Sequence, residues 1–185
     1  GKSYDLNMKR CNIPNINTPE YWDTHQTATD FGLRQQEYAK LLVGDSVADF
    51  GCGLSPFLCN IDAKQKIGID FSPETIKTCK ELYAGVEYIQ SDVIRTPLMY
   101  KSVYTCIAGE VIEHMEFPVL LIDEMERVAR KRIIFSTPIL EFDDPEHIWI
   151  FSEKDMLALL PGSTVYTIAS TRFPGRSYIF AYKVL

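Results

Sequence analysis

An α/β protein, with a doubly wound, mostly parallel sheet and helices on both faces, is the fold class this sequence predicts. Three observations predict it. Apolar runs of strand length alternate with helical periods, and several of those runs end in an acid or a glycine. The last two runs, near residues 165–168 and 178–182, have no helix between them and read as a C-terminal antiparallel hairpin. Seven runs in all predict a seven-stranded sheet. With 185 residues, 46% hydrophobic and 24% charged, the chain suits one soluble domain that buries a core.

Residues 1–18 are polar, with Asn7, Asn12, Asn15, Asn17 and Pro14, and read as an arm or loop; 19–185 read as a single domain. Thr18-Pro19-Glu20 starts a short helix, with Thr as N-cap and Pro at its first position, and brings in Tyr21 and Trp22. A second helix is expected from Asp30 to Leu42, with Leu33, Tyr38, Leu41 and Leu42 inside; residues 19–43 would form a partial lid. From Ser46 an apolar run closes on Asp49-Phe50-Gly51-Cys52-Gly53, a buried strand breaking into a tight turn. Glycine suits that turn because its dihedrals are unusual and because a ligand can approach where no Cβ stands.

Lys66 to Phe71 is the second strand, again ending in an acid, Asp70. Ser72 caps a helix that carries Ile76, Cys79 and Leu82 inward and stops at Gly85. Residues 86–90 are a third strand with Ser91-Asp92-Val93 at its tip, and 103–108 a fourth, followed by Gly109-Glu110-Val111-Ile112-Glu113-His114-Met115. A helix over 117–129 places Val119, Leu120, Ile122, Met125 and Val128 at helical spacing. Residues 132–138 are a fifth strand, 139–151 an acidic loop holding His147, and Ser152 caps a helix through Leu160.

The net charge of −6 disfavours nucleic acid as a partner, because a phosphate backbone rewards basic surfaces. The one basic knot, Arg130-Lys131-Arg132, is placed at a helix C-terminus, where cations complement the dipole. Cys11, Cys52, Cys59, Cys79 and Cys106 are odd in number and lack CxxC spacing, which suits a reduced, cytoplasmic setting. No run approaches membrane-spanning length and no signal peptide opens the chain, so no membrane insertion is expected.

Pro56 stands where a dinucleotide fingerprint needs its third glycine, and an acid before the first glycine suits a ligand with a cationic end. Asp49-Phe50-Gly51-Cys52-Gly53 followed by Asp70 resembles the cofactor motifs of class I S-adenosylmethionine-dependent methyltransferases, small members of the ubiquinone-biosynthesis kind. The resemblance covers residues 20–185 and implies the Rossmann-like methyltransferase fold, with S-adenosylmethionine as cofactor. It implies that Asp49, Gly51 and Gly53 hold the methionine end, Asp70 and Phe71 the ribose, and Asp92 and Val93 the adenine. Gly109 sits at the fourth strand's end, and Arg34 falls near an arginine that meets the methionine carboxylate in related enzymes. The other reading of Asp92 is a helix cap or an Asx-turn, with its position relative to Asp49 and Asp70 favouring the ligand, and Tyr21 and Trp22 either line the substrate pocket or pack on the sheet. Ser55 replaces a third glycine common in the family, and the short connection 54–65 leaves room for only a shrunken helix.

Glu110-x-x-Glu113-His114 would share one face if that turn were helical, and two carboxylates beside an imidazole invite a cation. With His147 on the neighbouring loop, Glu110, Glu113, His114 and His147 form a candidate site for Mg²⁺, Mn²⁺ or Zn²⁺. The run is similar to those of ubiquinone-biosynthesis O-methyltransferases and of small-RNA 2′-O-methyltransferases. The other reading makes it a loop-ordering segment, with His114 the general base and Glu113 its neighbour. His147 is also a substrate candidate, and His25 reads as solvated. The expected activity is methyl transfer to an oxygen or nitrogen of a small-molecule acceptor. Its rivals are a scaffold subunit acting with a partner chain and an RNA methyltransferase.

Overall fold

The computed structural model describes residues 8–11, 17–23, 31–139, 145–170 and 172–185. His25, most of the N-terminal arm, Asp30 and the loop acids around Asp143 therefore lie outside the described residues. In chain order the elements are β1 (Lys9–Arg10), α1 (Pro19–Trp22), α2 (Phe31–Leu41), β2 (Ser46–Phe50), α3 (Phe57–Asn60), β3 (Gln65–Asp70), α4 (Pro73–Leu82) and β4 (Glu87–Gln90). β5 (Val103–Gly109), a single 3₁₀ turn (Ile112–His114), α5 (Pro118–Val128), β6 (Ala129–Ile139), β7 (Trp149–Ile150), α6 (Glu153–Leu159), β8 (Thr164–Ala169) and β9 (Ser177–Val184) follow.

Seven strands form one sheet in the order β4-β3-β2-β5-β6-β9-β8. β4 through β6 are parallel, and β9 inserts antiparallel between β6 and β8. The chain winds outward from β2 to β3 and β4, then returns to β5 on the other side of β2. Order therefore reverses between β2 and β5, which is where open α/β sheets bind ligands. All five residues of β2 are buried, as a central parallel strand covered on both faces requires.

Alternating side chains divide the core. Ala48, Ala108, Ile133 and Phe135 join Leu121, Met125 and Met156 under α5 and α6. Val47, Ile107, Ile134 and Phe180 pack with Tyr38, Phe57 and Leu58 under α2 and α3. Thr18, Ser72 and Ser152 cap their helices as expected, the last with a full capping box to Asp155. The short connection after β2 holds a helix of only four residues.

Several expectations need correction. Leu82 is 62% exposed rather than inward, because it is the final residue of a helix lying over the sheet's edge strands. Leu120 is 42% exposed, whereas Leu121 is fully buried: the stripe Leu121-Met125-Val128 sets the phase, and Leu120 falls about 100° away from it. The basic knot directly follows Ala129, the C-cap of α5, and forms the first part of β6. There Arg130 hydrogen-bonds the Lys101 carbonyl, and Arg132 reaches the carbonyl of Leu41, the last residue of α2, at 2.7 Å. The arm is not all loop, since Lys9 and Arg10 pair antiparallel with Ile150 and Trp149. No helix among the described residues is long and apolar enough to cross a membrane.

Candidate active site

A cavity of about 360 Å³ opens at the carboxyl ends of β2, β3, β4 and β5. Its walls include Asp49, Gly51, Gly53, Asp70, Phe71, Asp92, Val93, Gly109, Glu110 and Arg34. One chemical inventory, read separately at four strand ends, thus meets around one space.

The turn after β2 is built by backbone bonds. The amides of Gly51 and Cys52 both donate to the Ile69 carbonyl, at 2.7 and 2.9 Å, folding the chain back over β3. Gly51 has φ +76°, and a Cβ there would lie 2.5 Å from a Val111 methyl, so the left-handed backbone and the neighbouring side chain both favour glycine. Asp70 accepts from the Gly53 amide on one oxygen and the Ser72 amide on the other, each at 3.0 Å. The carboxylate is thereby fixed between the turn and the start of α4, with lone pairs left for ligand hydroxyls. Burial nevertheless raises its pKa, against the pull of those amides. Asp49 is pushed up to about 7 by burial; the Arg34 charge opposes this and the Asp70 charge adds to it. Asp92 lines the cavity and also accepts from the Ile94 amide at 3.1 Å, so ligand-facing and turn-capping positions coincide.

The other end of the cavity is lined by Asn17, Trp22, His114, Met115, Glu146 and His147, among others. His114 Nδ1 lies 2.6 Å from the Glu146 carbonyl, which can only accept. The neutral ring therefore carries its lone pair on Nε2. Trp22 meets His114 edge-on at 5.1 Å, and His114 meets His147 at 4.7 Å. Tyr21 does not line the cavity: its hydroxyl donates to Glu146 at 2.7 Å and its ring supports Trp22 edge-on.

Glu110 and Glu113 part company. Glu110 has φ +56° and lies outside the 3₁₀ turn, so its carboxylate reaches Arg34 at 2.9 Å instead of joining the imidazoles. Glu113, 1% exposed, offers a ligand atom within 4.8 Å of those of His114 and His147. Neither of its oxygens makes a well-formed hydrogen bond among the described residues, the Thr137 hydroxyl being the polar side chain that eases its charge. Burial, with the Glu110 charge adding, raises its pKa well above the carboxylate range. Glu113 is absent from the cavity lining and stands behind it, near the two imidazoles.

Sequence reasoning missed Tyr38. A Cβ on Gly109 would lie 2.1 Å from the Tyr38 hydroxyl, which itself bonds Ser136 at 2.5 Å. Gly109 is thus glycine to admit a tyrosine from α2, and helical periodicity alone marked Tyr38 only as core. Asn17 and Glu146 were missed as well, since single polar residues in loops carry no periodic signal.

A methyltransferase-domain family model matches residues 48–135, which run from β2 into β6. Over 131 residues the chain is 28% identical to a probable S-adenosylmethionine-dependent methyltransferase of Mycobacterium tuberculosis, covering 68% of this chain and 46% of that one. The chain spans about half the length of the curated relatives it matches. A S-adenosylmethionine-dependent methyltransferase of Aquifex aeolicus superposes with TM-score 0.66 at 18% identity, covering 89% of this chain and 98% of that one. Magnesium protoporphyrin IX methyltransferase of Synechocystis PCC 6803, solved with bound cofactor, gives TM-score 0.61 at 20% identity over 91% and 92%. The central part of the chain is thus similar in sequence to methyltransferase domains, and the fold is that of the S-adenosylmethionine-dependent methyltransferases it superposes on.

Proposed function

We propose that the chain transfers the methyl group of S-adenosylmethionine to an oxygen or nitrogen of a small-molecule acceptor held in the end of the cavity that Trp22, His114 and His147 line. The observation that carries this reading is the convergence of Asp49, Asp70, Asp92 and the Gly109–Glu110 strand end on one cavity at the sheet's switch point. Asp49 and the glycine turn hold the methionine end, with Arg34 toward its carboxylate. Asp70 takes the ribose hydroxyls, and Asp92 with Val93 the adenine. The sulfonium is already activated, so most of the catalysis is alignment of acceptor and methyl. His114 Nε2 accepts the acceptor's proton, and the Glu146 carbonyl holds the ring in that tautomer. The net charge of −6 argues against a polynucleotide acceptor.

The test is transfer of labelled methyl to a panel of phenols, alcohols and amines. His114→Ala is expected to lower turnover on the accepted compound by about 10²–10⁴-fold while S-adenosylhomocysteine binding persists. Unchanged turnover removes His114 from the chemistry, and Asp70→Ala with undiminished cofactor affinity removes the cofactor assignment.

One observation favours a second reading of the acceptor end. The buried carboxylate of Glu113, with no well-formed hydrogen bond among the described residues and two imidazoles beside it, fits a divalent cation, which Glu113, His114 and His147 would hold. Such an ion, when bound, lowers the pKa of an acceptor hydroxyl and orients it. Glu110, committed to Arg34, leaves the expected four-residue set with three members. Thermal titration with Mn²⁺, Zn²⁺ or Mg²⁺ decides it: a shift abolished by chelator and by Glu113→Gln supports the ion, and no shift with any of the three leaves His114 acting as base alone.

A further inference from the structure

Two of the five cysteines stand together directly beneath the cofactor turn. Cys52 lies between Gly51 and Gly53 and lines the cavity; Cys79 is on the inner face of α4 and fully buried. They belong to one buried cluster with Ile76 and Tyr88, and their thiols hydrogen-bond to each other. The Cys79 sulfur also donates to the Gly53 carbonyl at 3.2 Å, so it touches the turn on two consecutive residues. Neither thiol has a part in the proposed transfer, and neither is needed to explain the glycines.

We propose that Cys52 and Cys79 are an oxidation site, reached through the cofactor cavity, that closes to a disulfide and disables the turn. Access is one-sided: Cys52 is 4% exposed and faces the cavity, while Cys79 shows no exposed surface. A hydroperoxide, little larger than water, enters where the cofactor would lie. The hydrogen bond between the sulfurs supports the reactive form: when one proton leaves, the remaining S–H stabilises the thiolate, lowering the Cys79 thiol and raising that of Cys52. Passing the proton along the S–H···S contact puts the charge on Cys52, the sulfur that faces the cavity; its thiolate attacks one peroxide oxygen and breaks the O–O bond, giving a sulfenic acid and hydroxide, which takes up a proton to leave as water. The second sulfur displaces hydroxide from that sulfur, which leaves as water after protonation. Two thiols and one hydrogen peroxide become one disulfide and two waters.

A disulfide draws sulfurs closer than any non-bonded contact, so the bond pulls residue 52 toward α4. That movement strains the three amide bonds that place the turn: Gly51 and Cys52 to Ile69, and Gly53 to Asp70. The ribose carboxylate and the glycine amides then no longer face the ligand together. Because bound cofactor covers Cys52, it protects the pair, and only ligand-free protein is vulnerable.

The effect on affinity rests on the methyltransferase reading, whereas the thiol chemistry does not. The test treats reduced full-length chain with hydrogen peroxide, with and without S-adenosylhomocysteine, followed by non-reducing peptide mass mapping and calorimetric binding. The expected result is loss of two hydrogens from the linked peptides of Cys52 and Cys79, slowed by S-adenosylhomocysteine. Affinity for that ligand falls by about tenfold or more and returns with dithiothreitol. Cys79→Ser, or Cys79→Ala should the serine variant not fold, is expected to keep its affinity through the same treatment. A disulfide through Cys59 instead, oxidation confined to other cysteines, or a Cys52–Cys79 bond with unchanged affinity overturns the proposal. If reduced protein binds no S-adenosylhomocysteine, the cofactor assignment fails, and with it the disabling effect, while the mass map still decides whether the pair closes.

Discussion

Asp49 carries a burial-raised pKa of about 7, so its proton is held across the mildly acidic range. The sign for stability follows. The folded pKa exceeds the unfolded one, so this group favours the folded chain at low pH, and that contribution is lost as pH rises from 3.8 through about 7. On the proposed cofactor reading, ligand binding runs the other way, because the ammonium group of the methionine end needs the carboxylate. Affinity for S-adenosylhomocysteine is therefore expected to rise with pH up to about 7, by at most about tenfold per unit, and to flatten above it. Calorimetry across that range checks this, and Asp49→Asn should remove the slope. Gly109 offers a second test at this scale. Gly109→Ala forces a Cβ against the Tyr38 hydroxyl and is expected to cost about 1–3 kcal/mol in urea unfolding. In a Tyr38→Phe background the added cost should shrink; equal costs in both backgrounds would show that the hydroxyl is not the obstacle. Glycine at 109 was legible in the sequence as a strand end, but its reason was not, since that reason sits on a helix some seventy residues earlier.

Elements were more legible than their faces. The strands were readable because a buried parallel strand is a continuous apolar run, and the helices because Thr18, Ser72 and Ser152 announce their starts. Phase was harder: with Val119, Leu120, Leu121 and Ile122 in succession, any choice of stripe leaves a leucine outside. The structure resolves that choice into a prediction. Leu121→Ala should destabilise by about 2–5 kcal/mol and Leu120→Ala by no more than about 0.5 kcal/mol, both read from denaturant midpoints. The turn after β5 is helical only from Ile112, so the condition that would join Glu110 to Glu113 and His114 is not met. A residue at positive φ cannot begin a helix, and nothing in Gly109-Glu110-Val111 signalled that Glu110 would take that conformation. Glu110 adopts it with its amide on the Ser136 carbonyl at 2.9 Å and its carboxylate on Arg34.

Across the whole molecule, ligand and fold are linked. Saturation with S-adenosylhomocysteine at a hundred times its dissociation constant should add about 2.7 kcal/mol, which for a chain of this size is roughly 5–10 °C in a thermal scan. That stability is not spread evenly. The sheet is bonded strand to strand through its core, whereas α1 is a helix of four residues, far too short to hold itself together. It is pinned from outside: Tyr21 to Glu146, the Asp23 carboxylate to the Ser72 hydroxyl, and the Trp22 indole to Asn17. These anchors sit on both sides of the cavity, at the cap of α4 and at the loop beside His114. A segment that borrows its order in this way comes loose without the rest unfolding. Its amides should exchange with solvent deuterium well before those of β2 and β5, and bound ligand should slow that exchange.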